Sequence, residues 1–331
     1  MKKYNIVVVG ASGNVGRKIL DILEERKFPI NNLAALASKK TAGKVLSYTN
    51  DKSLIIENLE DFDFSQTDIV LSSAGGKVAG EFVYRAQAKG AIIIDNSSYF
   101  RMHEDVPLVV PEVNSKALSN VKKGTIIANP NCSTIQMVVA LKPLHDAFKI
   151  KRVIVSTYQS VSGAGKKAID ELKTQIIDHS DILPQVFTKQ IGMNIIPHID
   201  VFMEDGSTKE EWKMVEETKK ILDPEIKVHA NCARVPSLNS HAEYINIETH
   251  NNIDEAKAYN ILKNAPGIKI WDKRENGAYA TPLEVSGTDD IFISRIRKDY
   301  SVENGISFWC VADNLRKGAA LNAVQIAELL I

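Results

Sequence analysis

The stretch ANPNCSTIQMVVAL, residues 128–141, places one of only three cysteines directly after Asn-Pro-Asn, at the head of an apolar run with helical spacing. Asn131 suits a helix N-cap, which puts Cys132 in the first turn. There the helix dipole and unpaired amide hydrogens stabilise a thiolate and can pull a thiol well below its usual pKa of about 8.5. The same amides could bind the oxyanion formed when that sulfur attacks a carbonyl. A lone cysteine is more often a small buried hydrophobe, and Cys232 and Cys310, both inside strand-like segments, read that way.

A second segment with chemical content is VVVGASGNVGRKI, where Gly10, Gly13 and Gly16, with Ser12, Asn14 and Val15 among them, separate a strand-like run from a helix-like one. Glycines there allow a tight turn and bring amide hydrogens and the positive helix end onto a pyrophosphate. The spacing is G-x-x-G-x-x-G rather than the commoner G-x-G-x-x-G, and a ligand-free βα turn has the same composition. NAD enzymes usually carry an acidic residue after the second strand; here LAALA runs into Ser38, Lys39, Lys40 and Thr41. Hydroxyls and cations suit a 2′-phosphate, so the residues favour NADP over NAD, with a solvated basic loop as the plain alternative.

A thiolate paired with a nicotinamide domain implies aldehyde oxidation through a thiohemiacetal and a thioester, or the reverse reaction, and that chemistry needs an acid/base group. His241 of LNSHAEY, at the head of a strand, is the candidate. His103 lies in a charged loop, His145 and His179 in helix-like stretches, His198 and His229 near domain surfaces, and His250 at a strand end. Local sequence alone singles out none of them.

These groups must be carried by a scaffold. Strands are expected at 4–9, 33–37, 68–73, 91–97, 108–113 and 125–130, with a helix at 15–26. Several of the strands are apolar without alternation, as when helices cover both sheet faces, which argues for a doubly wound, mostly parallel α/β sheet. From 152 the texture changes: longer, partly alternating strands at 152–161, 227–236, 242–250, 290–299 and 305–313 are punctuated by helices around 164–180, 208–222 and 253–263. That pattern suggests an α+β domain with an antiparallel-rich sheet. A final amphipathic helix at 317–330 is expected to return to the first domain. The domains are therefore drawn as 1–130, Rossmann-like; 131–313, catalytic; and 314–331, the returning helix.

Composition sets the outer bounds. The chain has 331 residues and 41 basic against 41 acidic side chains, so global charge points to neither nucleic acid nor an anionic membrane. No apolar run approaches the roughly 20 residues of a membrane span, and the apolar run of MKKYNIVVVG is too short for a signal peptide. Three scattered cysteines suit neither a disulfide framework nor a zinc site, so no metal and a reducing cytoplasm are expected.

Taken together, GASGNVG, SSAGGKVAGE, NSSYFR, VVPEVN, NPNCSTIQ, YQSVSGAGKKAI, EEWKMVEETKKIL, ARVPSLNSHAE and ADNLRKGAALNAVQIAELL resemble aspartate-semialdehyde dehydrogenase of the bacterial type, in the family's order from residue 4 to 330. The resemblance implies reduction of L-aspartyl-4-phosphate by NADPH to L-aspartate-4-semialdehyde and phosphate, on the way to lysine, threonine, methionine, isoleucine and diaminopimelate. It implies Cys132 as nucleophile and His241 as acid/base. It also implies Arg234 on the substrate carboxylate, Glu210 on the α-ammonium, Lys213 and Arg101 on the phosphate, Gln159 orienting the acyl group, and Asn131 holding Cys132 and the substrate. By spacing alone Glu210 and Lys213 are an ordinary i,i+3 ion pair.

For the cofactor, the resemblance extends to residues 12–15, Lys40, Thr41, Ser162, Gly163 and Asn314, and it implies a homodimer formed through the second domain's sheet. Many relatives carry arginine at Lys40, which implies weaker 2′-phosphate binding and more tolerance of NAD; Asn314 is glutamine in some. Rival readings are another acyl-phosphate reductase, acting on N-acetyl-glutamyl phosphate or a glyceraldehyde-3-phosphate relative, or a non-enzymatic NADP-binding redox sensor. The former substrates have no free α-ammonium to occupy Glu210, and a sensor has no need of Arg101, Lys213 and Arg234 for two anions.

Overall fold

A computed structural model describes residues 2–49, 51–178 and 183–331. His179 and the end of the helix expected at 164–180 lie outside the described residues. The chain divides into two compact units, Met1–Asn131 with Ala319–Ile331, and Cys132–Gly318.

In chain order the first unit contains β1 (Tyr4–Val9), α1 (Asn14–Glu25), β2 (Ile30–Ala37), β3 (Val45–Tyr48), β4 (Lys52–Asn58), β5 (Ile69–Ser72), α2 (Gly76–Ala88), β6 (Ile92–Asp95), α3 (Pro111–Asn114) and β7 (Ile126–Ala128). They form a seven-stranded sheet in the order β3-β4-β2-β1-β5-β6-β7. Only the β3–β4 pair is antiparallel. Ile6 to Val9 and all of β5 are buried, which is why they are apolar without a two-residue period. Chain order reverses on either side of β1, so the carboxyl ends of β1 and β5 flank a topological switch point, the usual nucleotide crevice of such sheets.

The strand expected at 108–113 does not form. Leu108 makes an isolated parallel bridge to Ala128, and Pro111 then starts α3. Proline has no N–H to give a ladder, and its fixed φ suits the first turn of a helix.

The second unit contains α4 (Cys132–Phe148), β8 (Ile150–Gln159), α5 (Lys166–Asp178), α6 (Lys209–Ile221), β9 (Lys227–Arg234), β10 (His241–Thr249), α7 (Glu255–Lys263), β11 (Ile268–Ile270), α8 (Pro282–Val285), β12 (Ile291–Lys298) and β13 (Gly305–Ala312). Its six-stranded sheet has the order β11-β12-β13-β10-β8-β9. The central pairs are antiparallel, while β11–β12 and β8–β9 are parallel. The β8–β9 pair is parallel because α5 and α6 supply the long crossover that such a pair requires. Helix α4 is buried on every side from Ser133 to Leu141, so its apolar face is not a stripe but the whole cylinder.

The last helix, α9 (Leu321–Glu328), belongs to the first unit. Leu321, Val324 and Ile326 share one core with Ile6 and Val8 of β1 and Ile19 and Leu23 of α1. Arg26 clamps Glu328 through two bonds of 2.6 and 2.7 Å. Residues 314–318, expected to travel with this helix, lie instead in the second unit. Asp313 Oδ1 accepts from the Leu315 and Arg316 amides, and Asn314 Oδ1 accepts from the Ser240 amide, tying the segment to the strand ends there.

Candidate active site

In the first unit the glycine turn joins β1 to α1. Gly10 has φ of 76°, a left-handed conformation that favours glycine. A Cβ on Gly16 would stand 2.2 Å from the Gly10 carbonyl oxygen, so α1 can close on the turn only without a side chain there. Gly13 precedes α1 with no side-chain cap, and no acidic residue occupies the helix's first turn. The Asn14 side-chain Nδ2 is buried without a hydrogen-bond partner. Uncapped amides and an orphaned donor fit a pyrophosphate.

A cleft of about 500 Å³ beside the turn is lined by residues that include Gly10, Ser12, Ser38, Gly75 and Arg85. Lys40 is exposed and Thr41 half-buried on the turn after β2, where the Thr41 amide donates to Ser38 O, and neither lines the cleft. Val15 is half-buried against the unit's core. Arg101 is buried, its Nε donating to Asn129 O at 2.9 Å and its Nη2 to Asn96 O at 2.8 Å, so main-chain carbonyls fix the guanidinium. Asn131, also buried, immediately precedes Cys132.

The second unit holds the thiol and the imidazole. Cys132 is the first residue of α4 and half-buried, whereas Cys232 and Cys310 are buried. A Cβ on Gly318 would be 3.0 Å from Cys132 Cβ, so the Gly318 backbone lies directly against the Cys132 side chain. One helical turn on, Gln136 Nε2 donates to His241 O at 3.3 Å, which sets the start of α4 against the head of β10. His241 is fully buried, and burial followed by the neighbouring Arg234 charge pushes its pKa down to about 3, leaving a neutral ring at neutral pH. A Cβ on Gly163 would lie 3.1 Å from Arg234 Nη1 and 3.2 Å from His241 Nε2. Glycine at this position leaves open the space onto which imidazole and guanidinium converge.

Around that space lie the remaining polar residues of the unit. Arg234, at the end of β9, is anchored by Nη1 donating to Ser160 O at 2.7 Å. Gln159, at the end of the adjacent β8, donates to Glu210 Oε1 at 3.1 Å. Glu210 is buried in the first turn of α6 and pairs with Lys213 at 3.2 Å, and Lys213 also reaches Asp200 at 2.6 Å. Helix α6 is started by a capping box in which Thr208 and Glu211 satisfy each other's amides, so the turn bearing Glu210 is well fixed. Ser162 and Asn314 bond each other at 2.9 Å.

The comparisons with known proteins bear on what this arrangement is. Residues 5–121 match the family described as semialdehyde dehydrogenase, NAD binding domain, and residues 141–317 match semialdehyde dehydrogenase, dimerisation domain. The aspartate-semialdehyde dehydrogenase of Aquifex aeolicus (strain VF5) is 51% identical over 333 residues, covering 99% of this chain and 98% of the relative. The chain belongs to the aspartate-semialdehyde dehydrogenase family. Its fold is the family's as well: the crystal structure of aspartate semialdehyde dehydrogenase II complexed with ASA from Vibrio cholerae superposes with a TM-score of 0.95 at 46% identity, over 100% of this chain and 98% of that one. The aspartate semialdehyde dehydrogenase with NADP from Candida albicans gives 0.78 at 25% identity, over 99% and 98%.

Three residues of this aspartate-semialdehyde dehydrogenase family member escaped the sequence reading. Gly318 lies in ADNLRKGAALNAVQIAELL, but its approach to Cys132 is a tertiary contact. Ser160 sits between Gln159 and Ser162, and its bonds to His241 span 81 positions. Glu243, two residues after His241 and so on the same face of β10, is fully buried with neither carboxyl oxygen hydrogen-bonded, and burial holds its pKa well above the usual carboxylate range. The HxE spacing in SHAEY was the available signal for it. Among the described residues, no helix is long and apolar enough to cross a membrane.

Proposed function

We propose that this chain catalyses the reversible, NADPH-dependent reduction of L-aspartyl-4-phosphate to L-aspartate-4-semialdehyde and phosphate, in amino-acid biosynthesis. The observation that carries the reading is the convergence of His241 Nε2 and Arg234 Nη1 on the space left by Gly163, with Cys132 heading the helix that braces His241.

In the reductive direction Cys132, ionised at the helix mouth, attacks the acyl carbon. The pair moved onto the carbonyl oxygen returns as the C–O bond to phosphate breaks, leaving a thioester. Arg234 offers the substrate's α-carboxylate a planar fork, and Glu210 takes the α-ammonium. Lys213 and Arg101 take the phosphate, Gln159 orients the acyl group, and Asn131 steadies Cys132. NADPH, when bound, supplies the hydride that reduces the thioester. Gly10, Ser12 to Gly16, Ser38, Lys40, Thr41, Ser162, Gly163 and Asn314 are the residues assigned to hold it. Asn314 and Ser162, bonded to each other beside His241, would act on the nicotinamide side. The cations and hydroxyls after β2 favour the 2′-phosphate, with lysine rather than arginine at 40 leaving room for NAD.

The domains follow as 1–130 for the cofactor and the segment from 131 for catalysis and pairing into a homodimer, with 314–331 divided between them. The test is a reductive assay with enzymatically generated aspartyl phosphate, run in parallel with NADPH and NADH. Turnover with aspartyl phosphate at least about tenfold faster than with N-acetyl-glutamyl phosphate is expected, since the latter leaves buried Glu210 without its ammonium partner. Equal turnover would remove the substrate assignment.

A further inference from the structure

Glu210 and Lys213, assigned above to the substrate's ammonium and phosphate, lie one helical turn apart on α6 and already pair at 3.2 Å. Taken alone, that pair is neutral, and a lysine beside the carboxylate repels an incoming ammonium. A third charge alters the balance. Asp200 Oδ2 stands 2.6 Å from Lys213 Nζ, closer than Glu210 does. The Lys213 and Glu210 side chains are 12% and 7% accessible and that of Asp200 31%, so water screens these charges only in part.

Several contacts hold Asp200 in place. Ile196 and Arg234 exchange both main-chain bonds, at 3.0 and 2.8 Å, and Val201 O accepts from the Lys209 N–H at 2.8 Å. The stretch 196–201 is thus tied at one end to the strand that carries Arg234 and at the other to the start of α6. Within it Asp200 has φ of 70°, a left-handed conformation that aspartate and asparagine tolerate better than most residues. Its two oxygens act separately: Oδ1 accepts from the Val201 N–H at 2.9 Å and Oδ2 from Lys213. A side-chain amide here could serve only one of these donors, because its other end is itself a donor. Partial burial opposes ionisation of Asp200, but the Lys213 ammonium and the Val201 N–H carry its pKa below the ordinary carboxylate value.

We propose that Asp200 is a positioning residue that acts through Lys213 to make the site specific for a substrate with a free α-ammonium. This rests on the functional reading above and extends it to a residue outside that reading. Asp200 draws Lys213 to itself, so Glu210 keeps charge for the ammonium. Gln159 holds Glu210 Oε1, and Oε2 is the oxygen that Lys213 and the arriving ammonium share. Arg234 also acts on Glu210, and Lys209, at the exposed start of α6, acts on Asp200. With Arg234 and Lys213 set against Glu210 and Asp200, a zwitterionic head group fits charge for charge, its carboxylate on Arg234 and its ammonium on Glu210. Without the Asp200 carboxylate the same positions carry more positive charge, which favours an anion of equal length that lacks the ammonium.

The test is a steady-state assay of semialdehyde oxidation with NADP⁺ and inorganic phosphate. Succinic semialdehyde, the same carbon chain without the α-ammonium, is the competitor. Asp200→Asn keeps the size and suits the left-handed backbone. In it, KM for aspartate semialdehyde should rise at least about fivefold with kcat within about twofold, while Ki for succinic semialdehyde stays level or falls. Asp200→Glu, which restores the charge, should recover most of the discrimination. A merely structural role changes both constants alike or lowers kcat, and either result overturns the proposal, as does an unchanged ratio of Ki to KM. If the parent enzyme forms no NADPH from aspartate semialdehyde and phosphate, the functional reading itself fails and takes this inference with it. An active parent with an unmoved ratio in Asp200→Asn removes only the part assigned to Asp200.

Discussion

At the scale of single residues, Glu243 is the least expected feature of the site. It is fully buried two residues along β10 from His241, and neither oxygen is hydrogen-bonded although Gln136 lies beside it. A carboxylate in that position would be costly, and burial raises the pKa of the group well above the ordinary value of 4.5. Unfolded chain releases this proton near its ordinary pKa. Above that point folding must take up a proton, and stability declines as pH rises toward the folded pKa. Glu243→Gln keeps the shape and removes the titration. The variant should match the wild type near about pH 4.5 and gain on it with rising pH, by up to about 1.4 kcal/mol per unit while the group titrates. Urea-denaturation midpoints at about pH 5 and pH 8 check this, and parallel profiles for the two proteins would refute it. The HxE spacing in SHAEYIN puts Glu243 on the face of His241, but nothing local says that this face is buried, which is settled only when a partner strand and helix close over it.

Among the elements, the β1–α1 turn is the one whose structure its sequence dictates most tightly. Gly16 is needed for close packing and Gly10 for its positive φ, and both demands are local enough to be visible in GASGNVG. Gly16→Ala would drive a methyl into the Gly10 carbonyl. The expected result is destabilisation of at least about 2 kcal/mol and loss of dinucleotide binding, measured by thermal unfolding with and without NADP and by isothermal titration. A variant that binds and melts like the parent would show that the turn has slack. The element misjudged from sequence is the stretch 108–113. Its apolar residues are buried as a strand's would be, but Pro111 cannot pair and begins α3. Burial made the segment apolar, and apolarity alone does not distinguish a strand from a buried turn. Edges were also missed: β3 and β4 are short, with exposed Val45 and Ile55 alternating with buried Leu46 and Ile56, and no strong apolar run marks them.

For the whole molecule, the match of residues 141–317 to a dimerisation domain agrees with a half-buried aromatic group on the second sheet, where Trp309 lies 4.9 Å from Tyr244 and 5.7 Å from Tyr158, centroid to centroid. Multi-angle light scattering should return twice the chain mass, and a monomer at micromolar concentration would exclude the homodimer. The sequence determined the chemistry and the order of its parts: a cysteine at a helix start, a glycine turn after a buried strand, and motifs in family order. These are legible because capping, turn conformation and periodicity are set by residues within a few positions of one another. The tertiary structure decided which groups act together. His241 meets Ser160 across 81 positions, Gly163 meets Arg234, and Gly318 meets Cys132, and each pairing arises from strand order and helix packing. The lowered pKa of His241, the raised pKa of Glu243 and the placement of residues 314–318 all follow from what is buried against them. Burial and long-range hydrogen bonds are properties of the packed chain, and no window of sequence contains them.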